Sequence, residues 1–358
     1  MKIALLGATG TVGRALVPLL EQEHEVVAVS RSPPQATGRV RWAAADVTDG
    51  EAVRRVFADV DLAYHLVHSL GSRDFEERDR RAAETVAREA ERAGLSQIVY
   101  LGGLGDDSPD LSPHLRSRAE TANVLGSGSV PVTTLRAAMV IGNGSAAFET
   151  IVALVDRLPM MISPRWVSTP TQPIALDDIA AYLAAAASRE DMLGRSFDAG
   201  GPDVMTYREM IERIASIRAK RPLIVEVPVL TPRLSSYWLH LVTPVNASVA
   251  RPLIEGLRNA TVARDERLRE LVPLALTSFD TAARAAMSDR AELDRARLVE
   301  PRELGREEWN LTSSANSSST PWRAVLGPGP NLSGYRSPNL RLKQSRISDP
   351  ARPSDLIT

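Results

Sequence analysis

The chain has 358 residues, 44% of them hydrophobic, and a formal net charge of −1. That length suits one large domain or a domain with an appendage, and the composition is that of an ordinary globular protein, not of a fibrous or wholly disordered one. The near-zero charge gives no reason to expect nucleic acid or an anionic membrane as a partner, and the lack of any cysteine excludes disulfides, thiolate nucleophiles and Cys-ligated metals. The N-terminus runs straight into a strand with no apolar leader, and no apolar run of about 18 residues is present to span a bilayer. A cytoplasmic protein without a transmembrane segment is the expectation.

In chain order, the strand Ile3-Ala4-Leu5-Leu6 leads into Gly7-Ala8-Thr9-Gly10-Thr11-Val12-Gly13 and then an apolar-periodic helix. Glycine at 7, 10 and 13 permits a sharp turn, a close approach of pyrophosphate and tight helix-on-strand packing, while the helix N-terminus offers free N–H groups and a positive dipole end. Gly7, Thr9, Gly10, Thr11, Val12 and Gly13 are therefore candidates for a dinucleotide cradle. A Gly-rich match alone is weak, and the flanking strand and helix carry the weight here. A second buried strand, Val26-Val27-Ala28-Val29, ends in Ser30-Arg31, where NAD enzymes usually place a carboxylate for the ribose 2′-hydroxyl. A guanidinium there suits a 2′-phosphate, so NADP(H) is expected over NAD(H), which stays as the alternative. A solvated loop cation is the bland reading of Arg31.

Next come a short strand over 40–44 and Asp46-Val47, then a helix over 50–58 that Thr48 or Asp49 can cap. A strand over 60–68 carries His65, Leu66, Val67 and His68, with Leu66 and Val67 expected beside the cofactor. A helix over 74–93 is capped by Gly94, and most of its charges read as a solvated face. Strands over 97–101 and 132–137 flank a helix over 115–125. Strands alternating with helices predict a Rossmann-type doubly wound parallel sheet of the α/β class.

The ordered set Gly7 to Gly13, Val29-Ser30-Arg31, Asp46-Val47, Tyr64 to His68, Val99 to Gly105 and Leu135-Arg136-Ala137 resembles the NmrA-like NAD(P)H-binding proteins, atypical members of the short-chain dehydrogenase/reductase (SDR) superfamily. The resemblance covers roughly residues 1–215. It extends to the NADPH-binding accessory subunit of respiratory complex I, a relative not described as turning over substrate, and it implies that Asp46-Val47 lies beside the adenine ring.

The usual SDR active site uses Tyr-x-x-x-Lys and an upstream Ser, the lysine lowering the tyrosine pKa so that the phenol can move a proton. The chain's lysines are Lys2, Lys220 and Lys343, and none follows a tyrosine by four. The resemblance puts His114 in the tyrosine's place, Arg118 in the lysine's and Gly102-Gly103 at the serine. His114 reads either as an acid or base or as a loop-packing histidine. Arg118 can hold ribose or phosphate but does not release a proton. His65 and His68, on one strand, would face opposite sides, which argues against a shared metal. Arg136 reads as a structural ion pair or a substrate contact, and Asp177-Asp178 as helix-capping residues.

Domains are expected at 1–215 (the dinucleotide domain, with substrate-side elements over 142–215), 216–300 (a small, mostly helical extension) and 301–358 (a low-complexity tail with a disordered composition). The loop Pro159 to Trp166 suits core packing or an apolar ligand, and the amphipathic stretch 234–242 suits docking, a ligand tunnel or a membrane surface. Two functions stand: an NADPH-dependent oxidoreductase on an apolar carbonyl or quinone-like substrate, and a non-catalytic NADP(H)-responsive sensor or assembly protein.

Overall fold

The computed structural model describes residues 1–34, 40–105, 111–227 and 256–288, with backbone alone at 162–166 and 226–227. Six sequence-predicted strands are present: β1 (Lys2–Leu6), β2 (Glu25–Ser30), β3 (Arg41–Ala44), β4 (Leu62–His65), β5 (Gln97–Gly103) and β6 (Val132–Ala137). With strand Ser196–Ala199 on β6 they form a seven-stranded sheet, that strand first, then β6, β5, β4, β1, β2 and β3. Every pairing is parallel. This is the Rossmann-like α/β order, with the crossover between β1 and β4.

The apolar runs explain why both faces are covered. Ile3 and Leu5 pack against α1 (Thr11–Leu20) and helix Leu176–Ala186, in a cluster with Leu16, Ile179 and Leu183. Ala4 and Leu6, on the opposite face by the two-residue period, join Val53, Ala82 and Val86 under α2 (Gly50–Phe57) and α3 (Phe75–Ala93). Asp49 caps α2, accepting from the N–H groups of Glu51 (3.0 Å) and Ala52 (3.3 Å). Gly94 ends α3 in the left-handed region at φ 68°. The fourth helix, α4 (Pro113–Leu125), starts at Ser112, whose hydroxyl accepts from Leu115 N–H.

Four local expectations need correction. β4 ends at His65, so Leu66, Val67 and His68 leave the sheet and strand alternation says nothing about His68. Glu89 is not on a solvated face: its side chain is 1% exposed beneath Arg54, Arg88 and Arg92. Helix Leu176–Ala186 has Ala175 at its N-cap with no side-chain bond, and Asp178 instead accepts from Thr277 N–H (2.7 Å) and hydroxyl (3.1 Å). Finally, 160–164 is a strand, parallel to Leu223–Val227.

That pair borders a third apolar cluster, where Phe148, Ile151, Met161, Met210, Ile214 and Phe279 are buried. Residues 279–288 are helical. The amphipathic stretch 234–242, other parts of the expected extension (228–255 and 289–300) and the tail from 301 lie outside the described residues, as do the side chains of 162–166.

Candidate functional site

At the carboxyl end of β1 the chain turns through Gly7 at φ 92°, which favours glycine. The turn is fixed by Gly7 and Ala8 N–H groups donating to Val29 O at 3.1 and 3.2 Å, and by Gly10 N–H donating to Gly7 O at 2.9 Å. A Cβ at Gly13 would collide with the Gly7 carbonyl oxygen and lie 2.8 Å from Ala8 Cα, and one at Gly7 would lie 3.0 Å from Leu66 C. The loop thus presses α1 onto β1 and leaves the first-turn N–H groups without side-chain caps. This geometry fits a pyrophosphate, which needs backbone donors and no Cβ in its path.

Around that loop the sheet gathers most of the sequence candidates. Gly7 abuts Leu66 and Val67, since β4 neighbours β1. Thr9 Oγ1 lies 3.2 Å from Ser30 Oγ. Arg31 follows β2, and its charge acts on Asp46 beyond β3. Asp46 Oδ1 accepts from both the N–H (2.9 Å) and the hydroxyl (2.7 Å) of Thr48, and these bonds hold its carboxyl below the usual range. Two candidates point elsewhere. The Thr11 hydroxyl donates to Gly144 O at 2.7 Å, and the Val47 side chain is buried in the core, so Val47 offers only its backbone to a ligand.

The second half of the site lies where β4 and β5 end and α4 begins. Arg118 is 8% exposed, its Nη2 donates to Leu101 O, and its guanidinium carbon sits 5.0 Å from the Tyr100 ring centroid. Tyr100 in turn donates its hydroxyl to Arg118 O at 3.1 Å, and burial raises its pKa. Asp79 of α3 accepts from Ser69 N–H at 2.7 Å and tethers the loop after β4. Burial raises the Asp79 pKa despite Arg118 nearby.

Three histidines feel the Arg118 charge. His65 is 1% exposed, neither ring nitrogen has a hydrogen-bond partner, and burial followed by Arg118 pushes its pKa down to about 3. His114, in the first turn of α4, is half-buried; burial, then Arg118 and then His68 push it down to about 3. His68 is crowded by protein, which with Arg118 lowers its pKa, yet the residue is exposed, and that access weakens the depression. Both His65 and His114 are neutral at physiological pH.

Of Gly102-Gly103, where the resemblance puts the serine, a Cβ at Gly103 would lie 3.0 Å from Leu115 Cδ2 and 3.5 Å from Arg118 Cβ. The juxtaposition of His68 with His114 was missed by strand periodicity, because both residues lie beyond strand ends. Arg136 is settled by its partner: its Nε donates to Asp198 Oδ1 at 2.8 Å, and the Asp198 side chain is fully buried. Among the described residues no group of three metal-ligating side chains forms, and no helix is long and apolar enough to cross a membrane.

Similarity to known proteins agrees with this cleft. A subunit of mitochondrial NADH dehydrogenase (ubiquinone), alpha subcomplex subunit 9 of Arabidopsis thaliana, is 25% identical over 239 residues, covering 63% of this chain and 60% of that protein. The chain thus spans about three fifths of that relative. A (4-alkanoyl-5-oxo-2,5-dihydrofuran-3-yl)methyl phosphate reductase of Streptomyces griseus is 26% identical over 62% of this chain and 75% of its own length. Among solved structures, Citrobacter sp. triphenylmethane reductase with NADP(H) superposes with a TM-score of 0.64 at 16% identity, over 80% of this chain and all of that one. An NADPH-dependent quinone oxidoreductase of Escherichia coli with NADPH also gives 0.64, at 19% identity over 80% and 99%. At those identities the structures establish the fold alone. The profile of the NAD(P)H-binding family matches residues 7–190, more than half of the chain, and the chain is a member of that family.

Proposed function

We propose that the chain is an NADPH-dependent oxidoreductase acting on an apolar carbonyl or quinone-like substrate, at a site that dispenses with Tyr-x-x-x-Lys. The observation that supports this reading is Arg118: a buried, immobilised guanidinium beside a neutral His114, at the cleft end of the glycine cradle. Gly7, Gly10 and Gly13 with the first-turn N–H groups hold the pyrophosphate, Leu66 and Val67 flank the dinucleotide, and Asp46 with Val47 meets the adenine. Ser30 and Arg31 take the 2′-phosphate, hence the preference for NADP(H). Bound NADPH supplies a hydride.

A substrate oxygen that gains charge at the mouth of the cleft meets two donors. Arg118 offers a fixed positive charge in a water-poor setting, where such charges act strongly. His114, neutral because of its depressed pKa, donates an N–H without releasing a full proton, and solvent water entering beside the open His68 completes the product hydroxyl. The reductase named among the similar proteins is in keeping with this reading, and a cytoplasmic location belongs to the same proposal.

The opposing reading, an NADP(H)-responsive sensor or assembly protein, draws on the absent Tyr-x-x-x-Lys and on Gly102-Gly103, where the resemblance puts the serine. Stopped-flow NADPH oxidation against a panel of quinones and aldehydes separates the two. Substrate-dependent turnover that is lost in His114→Ala supports the reductase, and no turnover with any substrate while NADPH binds supports the sensor.

A further inference from the structure

We infer that Arg78, which no motif singles out, is a second cation of the adenosine 2′-phosphate subsite and shares with Arg31 the discrimination between NADP(H) and NAD(H). This rests on the proposed dinucleotide reading of the cradle and adds a residue to it. Ala45 N–H donates to Ser30 O at 3.1 Å, so Arg31 and Asp46 leave adjacent strands side by side at the carboxyl edge of the sheet.

Arg78 reaches the same place from α3. Ala82, one turn further along the helix, packs with Ala45 and Val47 in the core. Residues four apart share a helix face, and helical side chains incline toward the N-terminus. Arg78 is thereby directed past that cluster toward Asp46, and its charge, like that of Arg31, acts on the Asp46 carboxylate.

Among the described residues neither guanidinium makes an ion pair. Across this helical layer Arg54, Arg80, Arg88, Arg92 and Arg116 each meet a glutamate, whereas among the described residues Arg78 has no ion pair and its Nε, shielded from water, has no acceptor. Asp46 accepts from Thr48 through Oδ1 and forms no ion pair with either guanidinium among the described residues. Two cations against one engaged carboxylate leave a positive site, and the terminal oxygens of a phosphate monoester accept in pairs from the planar fork of a guanidinium. A ribose 2′-hydroxyl is neutral and leaves the half-buried charge of Arg78 uncompensated.

The test is calorimetric titration of the full chain with adenosine 2′,5′-bisphosphate and with adenosine 5′-monophosphate. The wild type is expected to bind the bisphosphate more tightly. Arg78→Gln should weaken the bisphosphate by about tenfold or more, as expected for a charged hydrogen bond, and leave the monophosphate nearly unchanged. Equal weakening of both ligands would assign Arg78 to adenine packing and overturn the inference, as would a variant that keeps the wild-type preference. A wild type indifferent to the 2′-phosphate would overturn the NADP(H) reading beneath it. If Arg78→Gln does not fold, Arg78→Lys keeps the charge but not the fork: a selective partial loss supports the role, and unchanged bisphosphate affinity rejects it.

Discussion

His65 makes the folded chain sensitive to mild acid, and the size of the effect follows from its surroundings. In the unfolded chain its pKa is the ordinary 6.5, while burial in the fold, then Arg118, takes it to about 3. Between these values the unfolded state binds a proton that the folded state refuses. The stability attached to His65 is therefore fully present above pH 6.5 and drains away as pH falls toward 3. Between pH 7 and pH 5 the unfolded histidine goes from mostly neutral to almost fully charged, which costs about 2 kcal/mol of folding stability. At 1% exposure, solvent does little to soften that cost. His65→Leu removes the titrating group together with two ring nitrogens that have no partner, so the variant should be no less stable at pH 7 and should lose less on acidification. Urea unfolding followed by Trp fluorescence at both pH values measures this. Equal losses in wild type and variant would refute the assignment of a neutral, buried His65.

Other substitutions probe the cradle and the buried charges. Gly13→Ala forces a Cβ against Gly7 O and Ala8 Cα and should cost about 1–3 kcal/mol in stability, with weakened NADPH binding in the same preparation; a variant with unchanged melting temperature and NADPH affinity would show that the loop has room to yield. Arg136→Leu leaves the fully buried Asp198 side chain with the Arg264 N–H as its remaining donor, and thermal unfolding should show a loss of about 3 kcal/mol. Glu89→Gln removes the charge that three arginines share; denaturant titration should register destabilisation that fades at high salt far less than a surface pair would. Because His114 is already neutral above its depressed pKa of about 3, turnover between pH 5 and 8 should lack the inflection of a free imidazole near 6.5; such an inflection, retained in His68→Ala, would contradict its neutrality.

The central sheet was legible because its signals are local. Each inner strand is a short apolar run, and in a parallel sheet such runs are buried on both faces, as Val26 to Val29 and Ile98 to Leu101 are. The glycine spacing was equally readable, since the need for each glycine arises within seven residues. What escaped depends on distant partners. Strand Met160–Pro164 has proline at its end and pairs with residues 223–227, so nothing in its own neighbourhood marks it as extended. Glu89 reads as one more charge on a polar helix until α2 brings Arg54 across it. Asp178 sits where a capping residue is common, but Thr277 claims its carboxylate. At the site, Arg118 and His114 could be placed by family resemblance, whereas the grouping of His65, His68 and Asp79 around Arg118 required the folded ends of β4 and β5.

The most direct test of the account is titration of the intact wild-type chain and Arg31→Ala with NADPH and NADH, read by calorimetry. NADPH should bind more tightly than NADH in the wild type, with a loss of about tenfold or more for NADPH alone when the guanidinium is removed. Equal affinity for the two dinucleotides, or a preference for NADPH that survives Arg31→Ala undiminished, would contradict it.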